Sequence, residues 1–122
     1  MAPDRITLKN MAFFAYHGTA ASEKEGGQRF FVDVDMYLDL RPAAMADDLE
    51  RTVDYEGVYE LIKENCESKR FYLIEALAEH VARSILEGYP VDRVVVRVRK
   101  PSVPVRGILD FTEVEVDRTR AD

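Results

Sequence analysis

The sequence predicts an α+β domain with the element order ββααββ. Two observations support this prediction: apolar residues alternate with polar ones in three segments, and they recur every three or four residues in the middle of the chain. This order is typical of a four-stranded, largely antiparallel sheet with two helices on one face. A chain of 122 residues with 47% hydrophobic residues has apolar material for one core, so we expect a single domain over residues 1–122.

Two strands are expected in the first third of the chain. The first is RITLKNMAFFAY, residues 5–16, which is apolar and rich in side chains that favour strands. The second is QRFFVDVDMYLDL, residues 28–40, whose strict alternation predicts one buried face. That face would consist of Phe30, Val32, Val34, Met36, Leu38 and Leu40. We interpret the segment between the strands, and residues 41–53 after them, as connections.

Two helices are expected in the middle of the chain. The first has Asp54 as its N-cap and an apolar stripe at helical spacing, formed by Val58, Leu61, Ile62 and Cys66. The second helix ends at Gly88, since Pro90 follows it closely. Its apolar stripe is longer and consists of Ile74, Leu77, Ala78, Val81, Ala82, Ile85 and Leu86.

The last two strands are DRVVVRVRK, residues 92–100, and ILDFTEVEVDR, residues 108–118, because both alternate again. The two helices can cover only one face of such a sheet, which leaves isolated apolar residues and charges on the other face. The outer strands would expose unpaired backbone groups. We therefore expect several subunits to associate edge to edge.

The composition limits the partners of the chain. Seventeen Lys and Arg against 23 Asp and Glu give a net charge of −6 and a pI near 5.0, which disfavours nucleic acid as a partner. The amino-terminal residues lack the pattern of a signal peptide, and no apolar run has membrane-spanning length. We expect a cytoplasmic protein that binds no membrane. The single cysteine, Cys66, cannot form an internal disulfide.

The loop between the first two strands and the start of the first helix contain residues that could act chemically. The loop YHGTAASEKEGG, residues 16–27, contains His17 and Glu23, and Tyr55 begins the helix. Each residue alone also has a simpler interpretation. A charged loop is usually solvated, a histidine usually binds a backbone group, and a tyrosine in a first helical turn usually packs.

Glu75 and Lys100 are two further candidates. Glu75 lies in the first turn of the second helix, where it could simply favour the helix dipole. A carboxylate beside free backbone N–H groups could also bind the edge of a planar ligand that presents two adjacent N–H donors. Lys100 ends a strand and would ordinarily be an exposed charge. A lysine with a free amine can instead accept a proton.

In this order and at these separations, the segments resemble the dihydroneopterin aldolases of folate biosynthesis. The resemblance covers nearly the whole chain and is carried by ITLKNMAFFAYHG, EKEGGQRFFVDV, DDLERTVDY, LIEALAEHVA and KPSVPVRGILDFTEVEV. It implies a tunnelling-fold subunit whose sheets join edge to edge into a barrel-like tetrameric ring. It also implies that two rings stack into a homo-octamer with active sites at subunit interfaces.

The resemblance further implies the reaction. The family cleaves 7,8-dihydroneopterin, a small-molecule pterin, to 6-hydroxymethyl-7,8-dihydropterin and glycolaldehyde, with no metal and no cofactor. The residues agree with the absence of a metal site. His17 and His80, the two histidines of the chain, are far apart, and Cys66 has no partner at ligand spacing. The zinc-dependent pterin enzymes of the same fold rely on His or His/Cys sites, which this sequence does not match.

The matching positions imply a role for each candidate residue. Glu75 would bind the 2-amino and ring N–H edge of the pterin, together with backbone groups near Leu73 and Ile74. Lys100 would transfer the proton at the side-chain hydroxyl. Glu23 would hold Lys100 and the substrate hydroxyls in place.

A neighbouring subunit would complete the site. Its Tyr55 would border the pterin ring and help to deliver a proton to the intermediate. Thr52, Val53 and Asp54, directly before that tyrosine, would line the same wall. His17 would have a supporting role at most.

Two alternative functions remain open from the sequence. The first is a dihydroneopterin triphosphate epimerase, which shares the fold and most site residues; its substrate would need a basic lobe that Arg99, Lys100 and Arg106 could partly supply. The second is a catalytically inactive pterin-binding scaffold. The lysine argues against that scaffold, because a protein that only binds pterin would need the carboxylate anchor but not a base.

Overall fold

Four antiparallel strands form one sheet in the order β1-β2-β3-β4 in the computed structural model, which describes residues 4–102 and 105–122. The strands are β1 (Asp4–Ala15), β2 (Gln28–Leu38), β3 (Arg93–Lys100) and β4 (Thr112–Thr119). Each strand pairs with the strands next to it in the sequence, and β1 and β4 form the outer edges of the sheet. This architecture confirms the predicted α+β fold.

Within residues 4–102 and 105–122, four helices and one short 3-10 turn connect the strands. They are α1 (Ala21–Gly26), α2 (Arg41–Ala46), the 3-10 turn (Leu49–Arg51), α3 (Tyr55–Glu67) and α4 (Ile74–Gly88). The two long helices lie on one face of the sheet, where α3 packs against β1 and α4 packs against β3 and β4. Within the described ranges, no helix is both long enough and apolar enough to cross a membrane.

The two long helices form where the sequence predicts them. Asp54 caps α3, since its side chain accepts a hydrogen bond from the Glu56 backbone N–H at 3.1 Å. The predicted stripe of α4 is fully buried, whereas Leu61 of the α3 stripe is only half-buried. Helix α4 ends at Gly88, as expected, and Tyr89 follows it in an extended conformation.

The predicted connections contain more structure than the sequence indicates. Helices α1 and α2 are each six residues long, which is too short for an apolar period to show. Leu40, expected on the buried face of the second strand, lies beyond β2 as the half-buried residue before α2. The other five residues predicted for that face are buried beneath the helices.

The helix-free face of the sheet has an ordered charge network instead of isolated charges. Asp33 and Asp35 project from this face of β2, yet each is only 4% exposed. Arg99 donates to both carboxylate oxygens of Asp33, at 2.6 and 2.9 Å, and Arg97 donates to Asp35 at 2.9 Å. The hydrogen bonds from Arg99 lower the pKa of Asp33 against the opposing effect of burial. Two glutamates of β4 also accept hydrogen bonds: Glu113 from Arg99 at 3.1 Å, and Glu115 from Arg97 at 2.8 Å.

The same network stabilises an irregularity in β1. The pairing of β1 with β2 shifts between Leu8 and Met11, and Asn10 has a positive φ of 55°. The Asn10 backbone N–H donates to Asp33 at 2.7 Å, and the Asn10 side-chain oxygen accepts from Arg99 at 2.6 Å. The bulge therefore has hydrogen-bond partners for both groups of Asn10.

Candidate active site

Glu23 and Lys100 form an ion pair at one end of the sheet, although 77 residues separate them in the sequence. Glu23 lies on α1, and Lys100 is the last residue of β3. The Lys100 ammonium donates a hydrogen bond to Oε2 of Glu23. Their side chains are only 12% and 6% exposed, for Lys100 and Glu23 respectively. A lysine and a carboxylate are thus held together in a largely desolvated position.

The backbone around α1 holds the Glu23 carboxylate in place. Oε1 of Glu23 accepts a hydrogen bond from the Ala20 N–H at 3.1 Å, at the start of the helix. Burial by itself would raise the pKa of Glu23. The hydrogen bonds from Lys100 and Ala20 outweigh burial and lower that pKa below its ordinary value. Glu23 is therefore held as a carboxylate beside Lys100.

Gly18 allows this carboxylate to approach the preceding loop. Its φ is +136°, a conformation that side chains with a Cβ rarely adopt. A Cβ on Gly18 would lie 2.5 Å from both Cδ and Oε1 of Glu23. The position therefore requires glycine for its backbone conformation and for the space that Glu23 occupies.

His17 is a fully buried connector between β1 and the segment before α4. Its Nε2–H donates to the Cys66 carbonyl at 2.9 Å, and its Nδ1 accepts from the Phe71 N–H at 3.0 Å. The Gly18 N–H donates to the Phe71 carbonyl at 2.9 Å. Burial lowers the pKa of His17 despite the hydrogen bond to Cys66, so the ring is held neutral in one tautomer.

The predicted pterin anchor lies at the amino terminus of α4. Glu75 is exposed in the first turn, Ile74 is buried at 5% exposure, and Leu73 is exposed as the N-cap residue. The first backbone N–H groups of a helix have no partner within the helix. This turn therefore presents a carboxylate and backbone donors at one surface. His17 connects it to the loop that carries Glu23.

Tyr55 and the three residues before it lie elsewhere in the chain. Tyr55 is exposed and borders a cleft of about 400 Å³ beside Leu8, while Val53 is buried, Asp54 caps α3 and Thr52 is half-buried. No hydrogen bond or ion pair among residues 4–102 and 105–122 joins Tyr55 to Glu23, Glu75 or Lys100.

The register of the sheet allows an estimate of the distance between the cleft beside Leu8 and Lys100. Leu8 pairs with Val34, and Val34 pairs with Val96. Lys100 lies four residues beyond Val96, which is about 13 Å along the strand, and β1 and β3 are about 10 Å apart. The Leu8 backbone, which lines the same cleft as Tyr55, is therefore roughly 16 Å from the Lys100 backbone. One chain brings Glu23 and Lys100 together but leaves Tyr55 apart from them.

Gln28 is a residue near the pair that the sequence analysis missed. Its side-chain oxygen accepts a hydrogen bond from the Ser102 N–H at 3.2 Å, and its amide nitrogen lies 3.5 Å from Oε2 of Glu23. Gln28 thus connects the start of β2 to the segment that follows Lys100. Its position after two glycines indicates only the start of a strand, and no spacing rule marks it as part of a site.

The sequence offers Arg99 and Arg106, together with Lys100, as part of a basic lobe for a triphosphate. Arg99 projects from the opposite face of β3 and is fully engaged by the charge network there. Arg106 is exposed in the connection between β3 and β4. The structure therefore removes Arg99 from this lobe, because successive side chains of a strand point to opposite faces. The neighbouring Val103 and Pro104 lie outside the described residues.

Buried lysine–carboxylate pairs occur in sites that transfer protons and also in structural ion-pair networks. The fold and this site therefore define a small α+β domain with a buried ion pair at one end of its sheet. A family model described as FolB, dihydroneopterin aldolase, matches residues 6–117. The chain belongs to the dihydroneopterin aldolase family, and it is an aldolase of folate biosynthesis. This assignment confirms the resemblance stated from the sequence.

Individual relatives agree with the family assignment. A dihydroneopterin aldolase of Methylorubrum extorquens is 40% identical over 98% of this chain and 92% of that protein. The structure is similar to that of the Escherichia coli dihydroneopterin aldolase in complex with neopterin, with a TM-score of 0.86, 26% identity and coverage of 94% of this chain and 98% of that chain. It is also similar to a Burkholderia dihydroneopterin aldolase bound to guanine, with a TM-score of 0.78, 27% identity and coverage of 96% and 91%.

Proposed function

We propose that the chain cleaves the side chain of 7,8-dihydroneopterin and that Lys100 is the residue that transfers the proton. The observation that supports the proposal is the buried ion pair between Lys100 and Glu23. A proton-transfer residue needs a defined position and limited solvent, and both conditions hold here. The products are 6-hydroxymethyl-7,8-dihydropterin and glycolaldehyde.

The reaction begins at the hydroxyl on the second side-chain carbon of the substrate. In this step Lys100 acts as a free amine: its ammonium first releases a proton to solvent, and the amine then accepts the proton of this hydroxyl, directly or through a water molecule, while the oxygen forms the carbonyl of glycolaldehyde. The bond between the first and second side-chain carbons breaks, and its electron pair moves into the C=N bond of the dihydropterin ring. A proton then returns to the first carbon, so no atom is gained or lost overall.

The substrate itself accepts the electrons in this scheme. Other aldolases create an electron acceptor with a lysine Schiff base or with a metal ion. The ring C=N bond performs that function here, and so Lys100 acts as an acid and base without forming a covalent bond. Among residues 4–102 and 105–122, no group of three or more His, Cys, Asp or Glu side chains is placed to hold a metal ion.

Glu75 is proposed to bind the pterin ring. Its carboxylate is exposed in the first turn of α4, beside the backbone N–H groups of that turn. Neopterin and guanine, the ligands of the two related structures, both present an amino group next to a ring N–H. One carboxylate can accept both hydrogen bonds, which gives charge-assisted recognition of this edge. Backbone groups at Leu73 and Ile74 would complete the contact.

A second subunit is proposed to supply Tyr55 together with Thr52, Val53 and Asp54. Within one chain, Tyr55 shares a cleft with Leu8, whose backbone is roughly 16 Å from that of Lys100, and no hydrogen bond among the described residues joins Tyr55 to Lys100. The exposed edges of β1 and β4 offer backbone groups through which chains could pair into a ring of four. Two such rings would form an octamer. A cytoplasmic location is part of the same proposal.

Anaerobic incubation with 7,8-dihydroneopterin, followed by chromatography of the products, tests the proposed reaction. The wild-type chain should release glycolaldehyde and 6-hydroxymethyl-7,8-dihydropterin. Lys100→Ala should lower the rate by about 10²- to 10⁴-fold and leave pterin binding largely intact. Equal activity in this variant would contradict the role of Lys100. An adduct on Lys100 trapped by borohydride would contradict the absence of a Schiff base.

Mixing two impaired variants tests whether subunits share the site. Tyr55→Phe and Lys100→Ala chains should each be weakly active alone. If one subunit supplies Tyr55 and its neighbour supplies Lys100, mixed oligomers contain some sites with both native residues, and part of the activity returns. No recovery after verified subunit exchange would show that both residues act within one chain. Light scattering on the wild type gives the oligomeric state directly.

A further inference from the structure

A small pocket lies near Glu23, and the residues that line it have no role in the proposed reaction. Its volume is about 160 Å³, and its walls come from the loop after β1, from α1 and from the segment before α4. The lining residues are Tyr16, Gly18, Lys24, Arg70, Phe71 and Tyr72. Helix α1 carries Glu23, and the segment before α4 leads directly to Glu75, so the pocket lies near the candidate active site.

Two cations border this pocket, and each rests on an aromatic ring. The Lys24 ammonium lies 4.9 Å from the centre of the Tyr72 ring, and the Arg70 guanidinium lies 5.0 Å from the centre of the Tyr16 ring. Contact with a ring face holds a cation in position but leaves its N–H donors free to bind another group. An arginine in this arrangement is suited to planar or bidentate contacts with an anion.

Neither cation is neutralised by a carboxylate within the part of the chain that the structure describes. Lys24 and Arg70 take part in none of its ion pairs, whereas Glu23 is already paired with Lys100. The chain as a whole has a net charge of −6, whereas the described residues that line this pocket include two cations and no carboxylate. A small pocket with this charge favours an anionic group.

Gly18 joins the pocket to the site. It lines the pocket, and its backbone lies so close to Glu23 that an added Cβ would be 2.5 Å from the carboxylate. Gly18 therefore borders both the pocket and the Glu23 carboxylate, while Glu23 itself is not one of the lining residues. A ligand whose hydroxyls contact Glu23 could extend a terminal group towards Lys24 and Arg70.

We propose that this pocket binds a phosphate carried on the last carbon of the substrate side chain. The inference rests on the proposed function, because it places the side-chain hydroxyls at Glu23 and Lys100. The cleavage breaks the bond between the first and second side-chain carbons, and the third carbon is not changed. A phosphate monoester on that carbon leaves the chemistry intact, and the second product becomes glycolaldehyde phosphate.

Binding of the oxidised, fluorescent pterins tests the pocket separately from catalysis. The wild type should bind neopterin 3′-monophosphate about tenfold more tightly than neopterin at low salt. Lys24→Gln and Arg70→Gln should each weaken binding of the monophosphate by about threefold to tenfold and change neopterin binding by less than about twofold. Lys63→Gln removes an exposed cation of α3 and should change neither affinity.

Inorganic phosphate separates a general anion site from a site for the ester. It should compete with neopterin 3′-monophosphate but not with neopterin. Salt near 1 M should reduce the preference, because the Debye length falls to about 3 Å. Equal wild-type affinities for the two pterins, or variants that weaken both equally, would overturn the proposal. Competition by phosphate against both pterins would also overturn it.

Cleavage assays distinguish failure of this inference from failure of the proposed function. If unphosphorylated 7,8-dihydroneopterin is not cleaved, the proposed function fails, while the binding comparison still reports on the pocket. If it is cleaved but the monophosphate has no advantage in binding or in kcat/KM, only the pocket inference fails. Detection of glycolaldehyde phosphate from the monophosphate would show that the ester is a true substrate.

Discussion

The replacement Gly18→Ala is expected to separate Glu23 from Lys100. The new Cβ would lie 2.5 Å from Cδ and Oε1 of Glu23 and 2.8 Å from its Cβ. Contacts this short cannot persist, and the neighbouring atoms cannot easily withdraw because Ala20 and Lys100 hold the carboxylate. The Glu23 side chain must therefore move, or the loop around residue 18 must change its conformation.

Two costs add to give the expected loss of stability. A residue with a Cβ at a φ of +136° has a strained backbone, which costs about 1–3 kcal/mol. The overlap with Glu23 adds about 1–3 kcal/mol, as for other overpacked positions. We therefore expect the free energy of unfolding to fall by about 2–6 kcal/mol. The turnover number should fall by about 100-fold, because a catalytic group displaced by about 1 Å loses activity on that scale.

Denaturant unfolding and steady-state release of glycolaldehyde measure the two effects. Gly26→Ala, at the end of α1, is the matched control, since a Cβ there has no atom within 4 Å and the φ of Gly26 is not positive. This control should keep both stability and activity. A Gly18→Ala variant as stable and as active as Gly26→Ala would refute the argument that Gly18 makes room for the Glu23 carboxylate.

Three further outcomes follow from buried and proposed site residues. Burial lowers the pKa of His17, so the folded chain binds a proton at this ring less readily than the unfolded chain does. The free energy of unfolding should therefore be highest above pH 6.5, where the ring is neutral in both states. It should fall by up to about 1.4 kcal/mol per pH unit below pH 6.5. Urea unfolding of the wild type and His17→Gln between pH 7.5 and about 5 measures this dependence, which the variant should lose. Arg99→Ala should lower the free energy of unfolding by about 3 kcal/mol, because it leaves the buried Asp33 without its partner. The control Arg93→Ala removes an exposed ion pair and should lower the melting temperature much less than Arg99→Ala does. Equal shifts of the melting temperature in the two variants would contradict the burial of Asp33 as the cause. Tyr55→Phe should lower kcat by about 10²-fold or more and change pterin binding little. Stopped-flow kinetics measure this turnover, and an unchanged kcat would exclude proton delivery by Tyr55.

The elements that the sequence predicts well are long and have one apolar face. The stripe of α4 extends over four turns, and each of its seven residues is buried as its spacing indicates. Helix α1 is different, because six residues do not show a period, and its position depends on Glu23 and Gly18. The alternation in β2 predicts its buried face but not the burial of Asp33 and Asp35. Their burial depends on arginines of β3 that are 62 to 66 residues away.

In the candidate site too, features that depend on neighbouring residues could be predicted from the sequence, whereas contacts between distant residues could not. Asp54 as the cap of α3 and Glu75 in the first turn of α4 follow from local patterns. The contact between Glu23 and Lys100 joins residues 77 positions apart, and only the resemblance to a family suggested it. Gly18 and Gln28 were not predicted, because a backbone angle and a side-chain bridge leave no pattern of residue types.

The buried connector His17 makes one backbone amide a reporter for the whole site. The Phe71 N–H lies outside the helices and strands, where amide hydrogens ordinarily exchange rapidly with solvent. Here it donates to Nδ1 of His17, whose ring is completely buried. Its exchange should therefore be slow while the loop of Glu23 and the start of α4 remain joined. Because protonation of Nδ1 removes the acceptor, the exchange rate at this single amide gives a spectroscopic measure of when the two halves of the site separate.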